Sequence, residues 1–188
     1  MQNIQQTVRA FLCYLQLEKN YSDYTIDFYK EDIDEFLMFI IEQSIEDLHT
    51  VSYFDARLYL TKLYNRNLAK RSIARKTSSL RSFYKWLLRE EIVKENPFAL
   101  VSLPKKEQRL PHFLYEEEIT ALFKTLDGRT PLGKRDIALL EILYATGMRV
   151  SECCGMLLND IDFSMGTVLV HGKGKKDRYV PFGKYAGN

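Results

Sequence analysis

Apolar side chains in the first half of the chain recur at the three-to-four spacing of helices that face a core. Ile4, Val8, Phe11, Leu12 and Leu15 predict an amphipathic helix over about 3–18. Ser22 is placed to cap a second helix, in which Ile26, Ile33, Phe36, Leu37, Ile40 and Ile41 form the apolar stripe and Asp27, Glu31, Asp34 and Glu35 lie opposite. Ser52, with Asp55 three residues on, predicts the start of a third helix carrying Phe54, Leu58 and Leu63. A fourth is expected over about 70–90, where Ile73, Leu80, Phe83, Tyr84 and Leu87 fall on one side.

The periodicity breaks at 96–113. Asn96-Pro97, Pro104-Lys105-Lys106 and Pro111 favour an extended linker, because proline fixes φ and removes a backbone donor. Beyond it, Glu116, Glu117 and Glu118 suit the positive N-terminus of a helix that ends near Asp127-Gly128. Another helix is expected over roughly 134–145 with Gly147 as its C-cap, then a short one from Val150. The period then changes to two. Residues 167–171 and 178–182 read as the strands of a hairpin whose tip is Gly172-Lys173-Gly174-Lys175-Lys176-Asp177.

Composition narrows the class. The chain of 188 residues can form one large domain or two small ones, and with 46% hydrophobic and 13% aromatic residues it is too apolar for disorder. The longest apolar run, Phe36 to Ile41, is far short of the roughly 20 residues that span a bilayer, and no targeting pattern opens the chain. A soluble cytoplasmic protein without a membrane partner is expected. Cys13, Cys153 and Cys154 lack the spacing of metal ligands and read as reduced structural thiols, so no metal is expected. The net charge of +2 conceals a division: residues 1–50 hold 3 basic against 10 acidic side chains, residues 51–111 hold 14 against 5, and residues 112–188 hold 10 of each. A basic block of this kind suits a polyanionic partner, or else a solvated helical surface.

Three constellations could carry chemistry. On the helix over 70–90, Arg71, Arg75, Arg81, Lys85 and Arg89 lie opposite the apolar stripe, with Ser78 and Ser82 between them as small hydrogen-bonding groups that let a phosphate backbone approach. No Asp or Glu occurs from Lys70 to Arg89, so no ion pair within the helix accounts for the charge. The second is Thr146-Gly147-Met148-Arg149-Val150-Ser151-Glu152, where a glycine turn brings an arginine to the mouth of a helix with a carboxylate at i+3. That arginine can bind a phosphate while a carboxylate holds it, or can form only a structural ion pair. The third is the hairpin tip, whose Lys173 can reach a neighbouring group and donate a proton or a charge; an ordinary basic turn is the alternative.

Taken in order, Ser22-Asp23-Tyr24-Thr25, Leu80-Arg81-Ser82-Phe83-Tyr84, Asn96-Pro97, Leu143-Tyr144-Ala145-Thr146-Gly147-Met148-Arg149-Val150-Ser151-Glu152 and His171-Gly172-Lys173-Gly174-Lys175-Lys176-Asp177-Arg178-Tyr179-Val180-Pro181 resemble the tyrosine recombinase (phage integrase) family, most closely the type that resolves chromosome dimers. The resemblance implies a mainly α chain: a four-helix core-binding, SAM-like domain over 1–95, a proline-rich linker over 96–112, and over 113–188 the first part of an α+β catalytic domain with a β-hairpin. It implies a double-stranded DNA recombination site as partner, a second recombinase in a tetramer, no small-molecule substrate and no cofactor. Arg149 would be the first catalytic arginine, Glu152 the supporting acid and Lys173 the general acid that protonates the leaving 5′-hydroxyl. Arg71, Arg75, Ser78, Arg81, Ser82, Lys85 and Arg89 would face the DNA.

The sequence also departs from the family pattern. That pattern continues with a His-x-x-Arg segment, a His or Trp, and the nucleophilic tyrosine, and the three histidines here, His49, His112 and His171, are not in that setting. Tyr179 and Tyr185 are read as packing residues. The resemblance therefore implies a truncated member that does not cleave by itself, or a DNA-binding or dominant-negative fragment that docks onto intact recombinase, or an inert helical remnant. Cys153 stands where the family has an aliphatic residue, and Tyr115 where it has a Ser or Thr cap.

Overall fold

Aromatic and aliphatic stripes from four helices meet in the first half of the computed structural model, which describes residues 2–102, 113–172, 174 and 176–183. The helices are α1 (Gln2–Leu17), α2 (Asp23–Glu42), α3 (Tyr53–Asn65) and α4 (Lys70–Arg89). Phe11, Ile33, Phe36, Leu63, Ile73, Leu80, Phe83 and Leu87 have no exposed surface, so the stripes predicted from spacing are the core. Each such side chain contributes roughly 1.5–3 kcal/mol of hydrophobic stabilisation. The Phe11 ring lies 5.1 Å from Phe83 and 5.5 Å from Trp86, which ties α1 to α4.

Local chemistry sets the helix ends. Ser52 accepts the Asp55 N–H while Asp55 accepts the Ser52 N–H at 2.8 Å, closing a capping box at the start of α3. Ser22 occupies the cap position of α2, but its hydroxyl pairs with that of Thr25 at 3.0 Å and makes no backbone cap bond.

The expected extended linker begins later than residue 96. Asn96 donates from Nδ2 to the carbonyl of Arg81 at 3.0 Å and accepts the Phe98 N–H at Oδ1, also at 3.0 Å. This turn sets Phe98, with no exposed surface, and Val101 into the core of the helical unit. Burying one large aromatic ring outweighs the extended preference of a single proline. The remainder of the expected linker, with Pro104 and Pro111, lies outside the described residues.

The chain divides into two compact units, Met1–Arg109 and Leu110–Asn188. In the second, α5 (Glu116–Lys124), α6 (Pro131–Thr146) and α7 (Val150–Cys154) precede a 3₁₀ turn, Leu158–Asp160. An antiparallel sheet follows, in the order β1 (Ile161–Asp162), β2 (Thr167–Gly172) and β3 (Lys176–Pro181). α6 starts three residues before the expected 134, because Thr130 caps the Gly133 N–H at 3.0 Å and Pro131 has its φ preset for a first turn. Gly147 ends α6 at φ +60°, a conformation that glycine adopts without the Cβ penalty. β1, two residues long, was not expected from the pattern. Ile142, Met148, Cys153, Val168 and Val170 are the buried residues of this smaller core.

Candidate nucleic-acid interface and arginine cluster

α4 presents Arg71, Arg75, Ser78, Ser82, Lys85 and Arg89 at alternating spacings of four and three, which places them along one face. Arg71, Ser78, Lys85 and Arg89 are exposed. Arg89 stacks over the Tyr14 ring at 4.3 Å and pairs with Glu90 at 2.8 Å. Ser82 is half-buried.

Two of the expected DNA-facing arginines have structural partners that the helix itself did not reveal. Arg75 donates from Nη1 to Asp32 at 2.6 Å and lies over the Phe28 ring at 4.7 Å. Lys76 reaches Asp32 at 3.0 Å and Glu35 at 2.6 Å, and Ser79 donates to Asp32 at 2.8 Å. Arg66 also pairs with Glu35. Glu35 is accordingly held below the usual carboxylate range by hydrogen bonds from Lys76 and Arg66, which outweigh the opposing effect of its burial. Arg81 donates from Nε to the Phe98 carbonyl at 2.9 Å and from Nη2 to the Val101 carbonyl at 2.8 Å. The absence of acids within α4 therefore does not leave its basic side chains free: α2 supplies carboxylates and the segment after α4 supplies carbonyls.

In the second unit the turn at Gly147 delivers Arg149 to the N-cap position of α7. The Glu152 carboxylate accepts the Arg149 backbone N–H at 2.8 Å and its Nη1 at 3.0 Å. From β3, Arg178 adds Nη2 at 2.9 Å and Nη1 at 3.2 Å. Glu152 is 6% exposed, whereas the Arg149 side chain is 74% exposed. The hydrogen bonds from Arg178 and from the Arg149 backbone lower the Glu152 carboxyl to about 2. Among the described residues, Arg149 Nε and Nη2 make no hydrogen bond, so the open edge of the guanidinium can take an anion in a fork geometry.

Arg178 was not among the residues expected to form the site. Its partner lies 26 residues away in sequence, and only the strand register brings the two together. Arg178 pairs with buried Val170 across β2 and β3, so both side chains project to the inner face of the sheet. Leu169 and Tyr179 form the next pair and project to the outer face. Tyr179 is consequently 74% exposed and does not pack, contrary to its reading from sequence. Tyr185 lies outside the described residues.

Lys173 also lies outside the described residues. The hairpin that carries it is closed by a near contact, since a Cβ on Gly172 would come within 2.5 Å of the Lys176 carbonyl oxygen. Beside that closure, His171 faces Asp177 at 3.1 Å and Asp160 at 3.3 Å. Both carboxylates, Asp177 foremost, raise the imidazole above its ordinary value. Tyr115 offers no side-chain cap to α5, and Glu118 compensates by accepting its N–H at 2.8 Å. Cys153 is buried and its thiol is raised by burial, while Cys13 and Cys154 are exposed. Among the described residues no cluster of His, Cys, Asp or Glu could hold a metal ion, and no helix is long and apolar enough to cross a membrane.

Comparison with known proteins joins the two halves. Residues 8–91 match the phage integrase N-terminal SAM-like domain, and residues 112–188 match the phage integrase family. The chain is 60% identical over 186 residues to the tyrosine recombinase XerC of Anoxybacillus flavithermus and 55% identical over 186 residues to that of Bacillus subtilis. These matches cover 99% of the chain and 62% and 61% of the relatives, so the chain spans about three fifths of their length. In fold it is similar to the Tn1549 transposon integrase in complex with transposon right end DNA (TM-score 0.72, 15% identity, covering 96% of this chain and 62% of that one). It is similar again to lambda integrase in a tetramer bound to a Holliday junction (TM-score 0.70, 18% identity, covering 95% and 50%).

Proposed function

Because the chain belongs to the phage integrase family of tyrosine recombinases, we propose that it supplies the DNA grip and the first half of the catalytic centre of a XerC-like site-specific recombinase. Residues 1–101 form the core-binding domain, the stretch up to 112 leads to the catalytic part, and 113–188 bring Arg149, Glu152 and Lys173 to the scissile phosphate. The observation that carries this reading is an exposed arginine whose fork is held on one edge by a buried carboxylate and open on the other.

The chemistry follows from charge. When a hydroxyl attacks a phosphodiester, negative charge builds on the non-bridging oxygens, and Arg149 donates two parallel bonds to them. A preorganised donor of this kind lowers the barrier by roughly 3 kcal/mol, by analogy with oxyanion sites. Lys173 gives a proton to the leaving 5′-hydroxyl. In the family the nucleophile is a tyrosine that forms a 3′-phosphotyrosyl bond, and this conserves the energy of the phosphodiester so that rejoining needs no ATP. The chain spans about three fifths of its relatives, and that span holds the DNA grip and the charged groups Arg149, Glu152 and Lys173. Its partners are a duplex recombination site and a second recombinase of the same assembly, in the cytoplasm, in the resolution of chromosome dimers that accompanies partition and cell division.

A nicked suicide substrate bearing a recombination site tests the reading. The chain alone is expected to form no covalent adduct. Fusion to the C-terminal segment of a XerC relative is expected to restore one, and Arg149→Ala in the fusion to abolish it. A phosphotyrosine linkage at Tyr179 or Tyr185 of the unextended chain would overturn the assignment.

A further inference from the structure

The Glu152 carboxylate offers about four lone-pair positions, and it receives four N–H contacts. Two come from Arg149 and two from Arg178, at 2.8, 3.0, 2.9 and 3.2 Å. The two arginines differ in what they do there. Arg149 is engaged through one side-chain nitrogen and its backbone, on a helix of five residues, and its side chain is 74% exposed. An exposed i,i+3 pair of that kind is weak by itself, typically below about 1 kcal/mol, and would let the fork swing. Arg178 is bidentate and rises from the inner face of β3 opposite buried Val170. It fixes the carboxylate from the sheet side in a plane that only a guanidinium can match.

Charge points the same way. Two guanidinium groups and one carboxylate leave a single positive charge, which complements the single negative charge of a phosphodiester. Without Arg178, Glu152 would cancel the charge of Arg149 and the pair would present no net attraction to DNA.

We propose that Arg178 is a positioning residue of this site: it saturates and neutralises Glu152 from the sheet, so that Glu152 aims the open edge of Arg149 at a phosphodiester. Arg178 touches no reacting atom. This role rests on the reading of Arg149 as the phosphate-binding arginine.

The test uses the full 188-residue chain and its Arg178→Lys and Arg178→Gln variants, with solution NMR and binding of a mixed-sequence duplex oligonucleotide. Lysine keeps the charge and loses the fork. In Arg178→Lys the amide resonances of β2 and β3 are expected to persist. The order parameter of the Arg149 Nε–H from 15N relaxation is expected to fall as the fork gains motion, and the Glu152 carboxyl midpoint to move upward from about 2. Arg178→Gln is expected to move both further. Arg178→Lys should weaken duplex binding in the parent and have no further effect in an Arg149→Ala background. An unchanged Arg149 order parameter in both variants overturns the proposal, as does an equal loss of binding in both backgrounds, which would place Arg178 on the DNA or in the fold alone. Failure of the underlying reading looks different: Arg149→Ala would bind duplex as the parent does, and the mobility of the Arg149 side chain would still decide the role of Arg178.

Discussion

Asp32 on α2 has no exposed surface, and its Oδ2 accepts Nη1 of Arg75 on α4 at 2.6 Å. The same carboxylate holds Lys76 and Ser79, so one buried acid fixes three side chains of α4 against α2. Removing one partner of a buried pair strands the others. Asp32→Asn is expected to lower stability by about 3–5 kcal/mol, read by urea denaturation followed at Trp86. A loss below about 1 kcal/mol would show that the pair breaks even with water.

The proposed DNA grip separates the basic residues of α4 into two groups. Arg71→Ala and Lys85→Ala remove exposed cations and should weaken duplex binding, each reducing the salt slope by about one while leaving the melting temperature in place. Arg81→Ala unpairs the carbonyls of Phe98 and Val101 and should cost about 1–3 kcal/mol of stability. Paired titrations in low and high salt with thermal melts of each variant check both statements; binding lost with Arg81→Ala at full stability would return that residue to the DNA face.

The hairpin should tighten at mildly acidic pH. His171 is raised from 6.5 by Asp177 and Asp160, so its contribution is complete below 6.5, the value of the free imidazole, and is lost as pH rises through the higher folded value. Hydrogen exchange of the β2 and β3 amides is expected to show greater protection at pH 6 than at pH 8, after correction for intrinsic rates. His171→Gln should remove that difference.

Tyr59 is 1% exposed, packs at 5.1 Å from both Phe36 and Phe39, and leaves its hydroxyl without a hydrogen-bond partner among the described residues. Burial raises the phenol. Replacing an unpaired polar atom by hydrogen removes a desolvation cost, so Tyr59→Phe is expected to be neutral or to stabilise by about 1 kcal/mol in denaturant titrations. Destabilisation would reveal a partner for the hydroxyl in solution.

The two units should differ in firmness. α5 has no buried residue, and α6, apolar around much of its circumference, buries only Gly133 and Ile142 while Leu132, Leu139 and Tyr144 remain exposed. A helix apolar on most sides needs cover on most sides. Amide exchange is expected to be markedly faster in 113–183 than in α1–α4, and a dye that reports exposed apolar surface should bind the second unit. Equal protection in both units would contradict this.

These outcomes show where sequence pattern is informative. Period and capping chemistry are local, so the stripe of α4, the Ser52–Asp55 box and the Gly147 cap were legible before any coordinates. The Thr130-Pro131 start of α6 is equally local, but the apolar run beyond it carries the stronger periodic signal. Asp32 with Arg75, and Glu152 with Arg178, pair across 43 and 26 residues, and charge alone does not say which acid meets which base. Phe98 and Val101 lie in a stretch without period, and Arg81 binds carbonyls, which every residue has.

The two bonds from Arg81 to Phe98 and Val101 have a mechanical meaning. A pull on the chain beyond Val101 is not felt first at the last turn of α4, as it would be if the helix simply ran out at Arg89. It enters through the guanidinium of Arg81, in the helix interior, and is shared with the buried Phe98 ring. The segment from Glu90 to Val101 is thereby a bracket bolted to the basic helix. A load carried by the segment up to Val101 is therefore delivered to the middle of the basic helix and not to its end.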